Sequence, residues 1–125
     1  MNEVVAVAIG GAIGSIARYW FVGQAGRLLG LEFPWGVMGV NILGSFIMGV
    51  LVEAMALKWD VTPEWRAFLT VGILGGFTTF SAFSADVAVL IGRGDWTAAG
   101  GYVIGSVALS ILALFGGLWT VRALA

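Results

Sequence analysis

Four runs of this chain, residues 4–17, 33–52, 67–85 and 96–121, contain no charged side chain. Each is predominantly apolar, and about 20 such residues carry a helix across the hydrocarbon of a bilayer. The first run continues past Arg18 through Tyr19, Trp20, Phe21 and Val22, which brings it to span length. With 60% of 125 residues hydrophobic and 10% charged, a water-soluble domain would have nowhere to hide this surface. The expected fold is an all-α membrane protein: one domain, 1–125, with four transmembrane helices at roughly 4–22, 33–56, 64–92 and 96–122.

The ends of the runs fit that reading. Pro34 and Pro63 stand at helix starts, where a missing N–H is harmless. Tyr19, Trp20, Trp35, Trp59, Trp65 and Trp96 fall near the proposed interfaces, as an aromatic belt requires. Gly23-Gln24-Ala25-Gly26 and Gly92-Arg93-Gly94-Asp95 read as connectors. Met1-Asn2-Glu3 carries no positive stretch of the signal-peptide kind, so the first run is expected to be retained as a span. Four spans return both termini to one side. Lys58, Arg66 and Arg122 then lie on that side, and Arg18, Arg27 and Arg93 lie opposite. Orientation is normally set by a cytoplasmic excess of Lys and Arg, and this chain has none. Either the signal is merely weak, or the chain inserts both ways and assembles from opposed copies about an axis in the membrane plane.

Composition narrows the chemistry. A net charge of −1 offers no basic patch for nucleic acid. The absence of cysteine and histidine removes disulfides, thiol chemistry and the usual transition-metal ligands. The remaining bases, carboxylates and one lysine, cluster at segment ends, so an enzyme is not expected. Twenty glycines include the small-xxx-small pairs Gly10/Gly14, Gly72/Gly76 and Gly101/Gly105, which read as close-packing surfaces in a tight bundle and an expected oligomer.

The third run carries the least lipid-like sequence, Gly-Ile-Leu-Gly-Gly-Phe-Thr-Thr-Phe-Ser-Ala-Phe-Ser from Gly72 to Ser84. Adjacent glycines followed by two stiff threonines favour a break between Gly75 and Thr79 near mid-membrane. Such a break releases carbonyls that a monovalent cation could satisfy. An unbroken, glycine-packed helix is the alternative, and the residues alone leave both open. Phe77, Phe80 and Phe83 recur every three residues and share a slowly rotating face, interleaved with Thr79, Ser81 and Ser84. They serve either as lipid or core contacts or as ring edges facing an anion. Asn41 lies about 12 Å inside the second run and needs a partner, another helix or a permeating species. Tyr102, Ser106 and Ser110 align their hydroxyls on one face of the fourth run. Arg18 and Asp86 end adjacent spans on one side and are expected to meet in a vestibule, unless Arg18 simply snorkels to the headgroups.

Three stretches in this order resemble the Fluc (CrcB) family of fluoride channels over essentially the whole chain. They are Gly10-Gly11-Ala12-Ile13-Gly14-Ser15-Ile16-Ala17-Arg18-Tyr19, Val40-Asn41-Ile42-Leu43-Gly44-Ser45-Phe46 and Gly75-Gly76-Phe77-Thr78-Thr79-Phe80-Ser81-Ala82-Phe83-Ser84. The resemblance implies a dual-topology antiparallel homodimer in the bacterial plasma (inner) membrane, with two pores passing fluoride out of the cell. It places Phe80 and Phe83 in the pores, with Ser81 and Ser84 interleaved. It also puts Asn41 toward the ion path, Tyr102, Ser106 and Ser110 on a polar track, and Arg18 at a vestibule. It implies a structural Na+ at the dimer centre on the carbonyls of Gly75 and Thr78. Two positions depart from the common pattern of the family, Val37 and Ala82, where threonine is usual.

Two other classes compete. A small dual-topology proton-coupled cation or drug antiporter needs a carboxylate deep in the membrane, and residues 4–17 hold none. A non-transporting assembly subunit would leave the asparagine, rings and hydroxyls without a purpose.

Overall fold

A computed structural model describes residues 2–125. Among them the secondary structure is entirely helical, and four helical stretches are long and apolar enough to cross a membrane. Helix α1, Glu3–Leu29, is started by Asn2, whose side chain accepts the Val5 N–H at 2.8 Å. It does not stop at Gly23. The expected connector Gly23-Gln24-Ala25-Gly26 is helical, and α1 ends only where Gly30 adopts φ 86°, a conformation that suits glycine. Twenty-seven residues make α1 about 40 Å long, well beyond a hydrocarbon layer of about 30 Å. A span boundary read from hydropathy therefore need not be a helix boundary.

Helix α2 is Trp35–Leu57, directly after Pro34. The third span comes in pieces. Thr62 caps its start by accepting the Trp65 N–H at 3.3 Å, with Pro63 in the first turn. We call residues 63–77 α3: an α-turn at Pro63–Arg66, a wider π-wound stretch at Ala67–Leu74, and a last α-turn at Gly75–Phe77. Thr78 and Thr79 are extended, at φ −88°, ψ 157° and φ −153°, ψ 124°. Helix α4, Phe80–Gly92, then resumes, and after a turn at residues 93–95 α5 runs Trp96–Leu124, capped by Asp95.

Two seams hold the bundle. In the first, α1 lies on α3 with Gly10 against Phe68 and Gly72, Gly14 against Ile73 and Phe77, and Gly76 against Gly11 and Ser15. A methyl group on Gly10 would stand 2.6 Å from the Phe68 carbonyl oxygen, so backbone touches backbone there. The second seam joins α2 to α5 through Gly49 against Leu114 and Gly117 against Phe46. The third pair, Gly101/Gly105, makes no seam within the chain. Gly101 has open space where a side chain would be, and Gly105 meets only the end of the Met38 side chain. Beside the second seam, buried Glu53 accepts from Arg122 Nε at 2.6 Å, the one ion pair among the described residues. Arg93, after α4, donates to the Glu32 carbonyl, between α1 and α2, at 2.7 Å.

Candidate functional site

The extended residues Thr78 and Thr79 separate the helices around them, and Thr79 lies between two grooves. Asn41 of α2 fixes this point. Its Oδ1 accepts the Thr79 N–H at 2.8 Å, while its Nδ2 donates to the Thr79 carbonyl at 3.1 Å. One amide thus serves both main-chain groups of a buried residue that helix geometry has abandoned. The Thr79 side chain starts α4 by accepting the Ala82 N–H at 3.1 Å, and its hydroxyl lies 3.4 Å from Ser81 Oγ.

The first groove, of about 320 Å³, lies among α2, the Thr78–Thr79 segment, α4 and α5. It brings together Asn41, Phe80, Phe83, Ser106 and Ser110, with Thr78 and Thr79 at its base and apolar side chains such as Met48 and Leu114 along its wall. The Phe80 and Phe83 ring centroids are 5.5 Å apart, the planes inclined at 45°. Phe83 is buried, whereas Phe80 is 76% exposed at the rim. Ser106 Oγ and Ser110 Oγ are shut away from the surface without a hydrogen-bond partner. A buried hydroxyl left unpaired is unfavourable, and both serines belong to the lining of this groove.

The second groove is lined by Ser15, Arg18, Tyr19, Val22, Gly23, Val37, Thr79, Ser81 and Ala82. Arg18 and Ser81 therefore share a vestibule-like space on the far side of Thr79. Both residues that depart from the family pattern, Val37 and Ala82, line this same groove.

Other expected neighbours are elsewhere. Arg18 and Asp86 do not pair. Asp86 turns toward α5 and accepts the Tyr102 hydroxyl at 2.9 Å, and Arg18 of α1 makes no ion pair among the described residues. Tyr102 lines neither groove; its ring continues the aromatic chain, 5.0 Å from Phe83 and 5.4 Å from Phe33. Ser84 also lies outside both grooves, with its hydroxyl donating to the Phe80 carbonyl at 3.0 Å. The three-residue phenylalanine stripe is split by the extended segment. Phe77 packs edge-on against Phe21 at 6.1 Å, away from the other two rings. The two hydrogen bonds between Asn41 and Thr79 and the Glu53–Arg122 pair carry no signal in the sequence, since each joins residues far apart in the chain.

Four helical stretches long and apolar enough to cross a bilayer, one of them interrupted and tied down there by an amide, define an integral, multi-pass membrane protein. Residues 5–118 match the family described as CrcB-like protein, Camphor Resistance (CrcB). The chain is 57% identical over 124 residues to a protein of Chelativorans sp. named Fluoride-specific ion channel FluC, covering 99% of both chains. Proteins of the same name from Rhizobium johnstonii and Rhodospirillum centenum are each 52% identical, over 100% of both chains and over 98% and 97% respectively. The chain belongs to the CrcB family.

Proposed function

We propose that this protein is a fluoride-selective channel that passively exports cytoplasmic fluoride from bacteria across the inner membrane. The pores are two, formed at the interface of an antiparallel homodimer. The observation that carries this reading is the pair of unpartnered hydroxyls, Ser106 and Ser110, buried on a groove walled by the Phe80 and Phe83 rings. Fluoride is a small, strongly hydrated anion and a strong hydrogen-bond acceptor. Hydroxyl donors replace part of its hydration shell, and electropositive ring edges attract it weakly without holding it. No lysine or arginine lines this groove, which suits conduction, because an ion bound too firmly does not leave. Arg18 and Ser81 in the second groove supply positive potential and a donor on the other side of Thr79. Movement down the gradient makes the protein a channel and not an enzyme.

Several features support the paired assembly. A groove facing lipid would leave two hydroxyls without any partner in hydrocarbon, and a second copy closes it. The exposed Phe80 ring lies at the edge that such a copy would cover. The three-against-three division of cations permits insertion in both orientations. In an antiparallel pair the Thr78–Thr79 segments approach the axis near the bilayer midplane. A structural Na+ there fits the groups present. The Gly75 and Thr78 carbonyls accept no hydrogen bond among the described residues, and bare carbonyl oxygens are suitable ligands for a monovalent cation. The ion would tie the two copies together. Proton-coupled antiport is less well supported, because Glu53 is paired with Arg122, Asp86 accepts from Tyr102, and neither lines a groove.

The test is fluoride release from proteoliposomes under a potassium gradient with valinomycin, with chloride release in parallel. Fast fluoride release without chloride is expected. No fluoride release from folded protein would favour an assembly subunit instead. Because the chain has no cysteine, a single Gly92→Cys substitution, at a position with open space around it, reports orientation without background. Label entering from both faces of the membrane is expected for dual topology, and label from one face only would exclude it.

A further inference from the structure

In a continuous α-helix each N–H bonds the carbonyl four residues earlier. Across the interruption that rule would direct the Thr79 N–H to Gly75 and the Ala82 N–H to Thr78. Both donors are diverted. Asn41 Oδ1 takes the Thr79 N–H at 2.8 Å, and Thr79 Oγ1 takes the Ala82 N–H at 3.1 Å. The two carbonyls that lose their natural donors are the two proposed above as Na+ ligands. Resting on that reading, we propose that Asn41 and Thr79 are positioning residues for the cation site. They keep the Gly75 and Thr78 carbonyls free by capturing the N–H groups that would otherwise satisfy them.

The geometry explains why asparagine suits the position. An amide carries an acceptor and donors side by side, so it engages the N–H and C=O of one extended residue as a neighbouring strand would. The Asn41 Nδ2 bond to the Thr79 carbonyl, at 3.1 Å, holds φ −153°, ψ 124° against rewinding. Without the amide, the Thr79 N–H is buried and unpaired, and Gly75 is its nearest acceptor along the chain. Helix and cation then compete for one carbonyl. Asn41 also lines the first groove, so it links the state of the cation site to the shape of the ion path.

The experiment follows thermal unfolding of the purified protein by tryptophan emission while Na+ replaces N-methyl-D-glucamine. A cation that binds only the folded state raises the midpoint as its concentration rises. Asn41→Leu removes acceptor and donor together and is expected to raise half-saturating Na+ by about tenfold. Asn41→Asp keeps an acceptor for the Thr79 N–H but loses the donor to the Thr79 carbonyl, so its half-saturating Na+ should fall between the parent and Asn41→Leu. Its fluoride release should still fall, because a carboxylate then borders the groove. Thr79→Ala should weaken the sodium response, and Thr79→Ser, which keeps the hydroxyl, should restore it. A purely structural role would lower every midpoint without moving the half-saturating concentration. Unchanged half-saturation in Asn41→Leu would overturn the proposal. If that variant does not fold, identical sodium responses in Thr79→Ala and Thr79→Ser would do the same. A parent protein with no sodium response overturns the cation site and this inference together. Fluoride release is measured separately and stands or falls without it.

Discussion

The seam between α1 and α3 and the groove among α2, α4 and α5 use similar small and polar residues for opposite ends. At the seam, Gly10, Gly14, Gly72 and Gly76 bring backbone onto backbone, and little space remains. At the groove, Ser106 and Ser110 are buried yet unpaired, and about 320 Å³ stays open beside them. A stability-driven interior would resemble the seam throughout, since unpaired buried polar groups are unfavourable. The groove departs from that rule at the two serines that line the proposed ion path. The difference teaches that in this small bundle the proposed pore is marked by unsatisfied groups more than by residue type.

The comparison can be broken at its firm side first. Gly14→Leu drives a side chain into the Ile73 main chain, which cannot rotate away. The expected penalty is at least about 3 kcal/mol, enough to lose monodisperse protein on gel filtration. Next in size is Arg122→Ala, which leaves the buried Glu53 carboxylate alone. A loss of about 3 kcal/mol is expected in thermal unfolding, with fluoride release per folded protein unchanged. Glu53→Gln should be milder, because Arg122 is 63% exposed and can find water.

The groove should answer differently. Ser106→Ala and Ser110→Ala each remove a donor that nothing in the chain satisfies, so stability should hold or rise slightly. Fluoride release should slow by about fivefold for each, as loss of one neutral hydrogen bond to the ion implies. The smallest effect is expected for Val37→Thr and Ala82→Thr, which add hydroxyls to the Arg18 groove. A change of about twofold or less in release rate is anticipated, since water can already solvate an ion beside Arg18.

The sequence made some of this legible and hid the rest for physical reasons. Uncharged length located the spans, because hydrocarbon tolerates little else. It could not locate the end of α1, since Gly23 and Gly26 are tolerated in a helix and the stop comes from Gly30 at φ 86°. The adjacent glycines Gly75 and Gly76 drew attention to the third span, yet both are helical. The extended residues are Thr78 and Thr79, held by an amide 38 positions earlier in the chain. No local pattern contains that bond. Helical spacing aligned Tyr102, Ser106 and Ser110, but the tyrosine hydroxyl reaches sideways to Asp86 while the serines face the groove. Likewise, periodicity grouped Phe77 with Phe80 and Phe83 because it assumed an uninterrupted helix.

The most direct test of the account is the release of fluoride through Phe83→Ile, matched to the parent protein for folded dimer reconstituted per vesicle. Phe83 is buried between the groove and Tyr102, and isoleucine keeps an apolar side chain while removing the ring edge. The account predicts fast, chloride-excluding release from the parent and none from the variant, with both eluting as the same dimer. Equal release from the two would show that the ion passes elsewhere and would contradict the assignment of this groove as the pore.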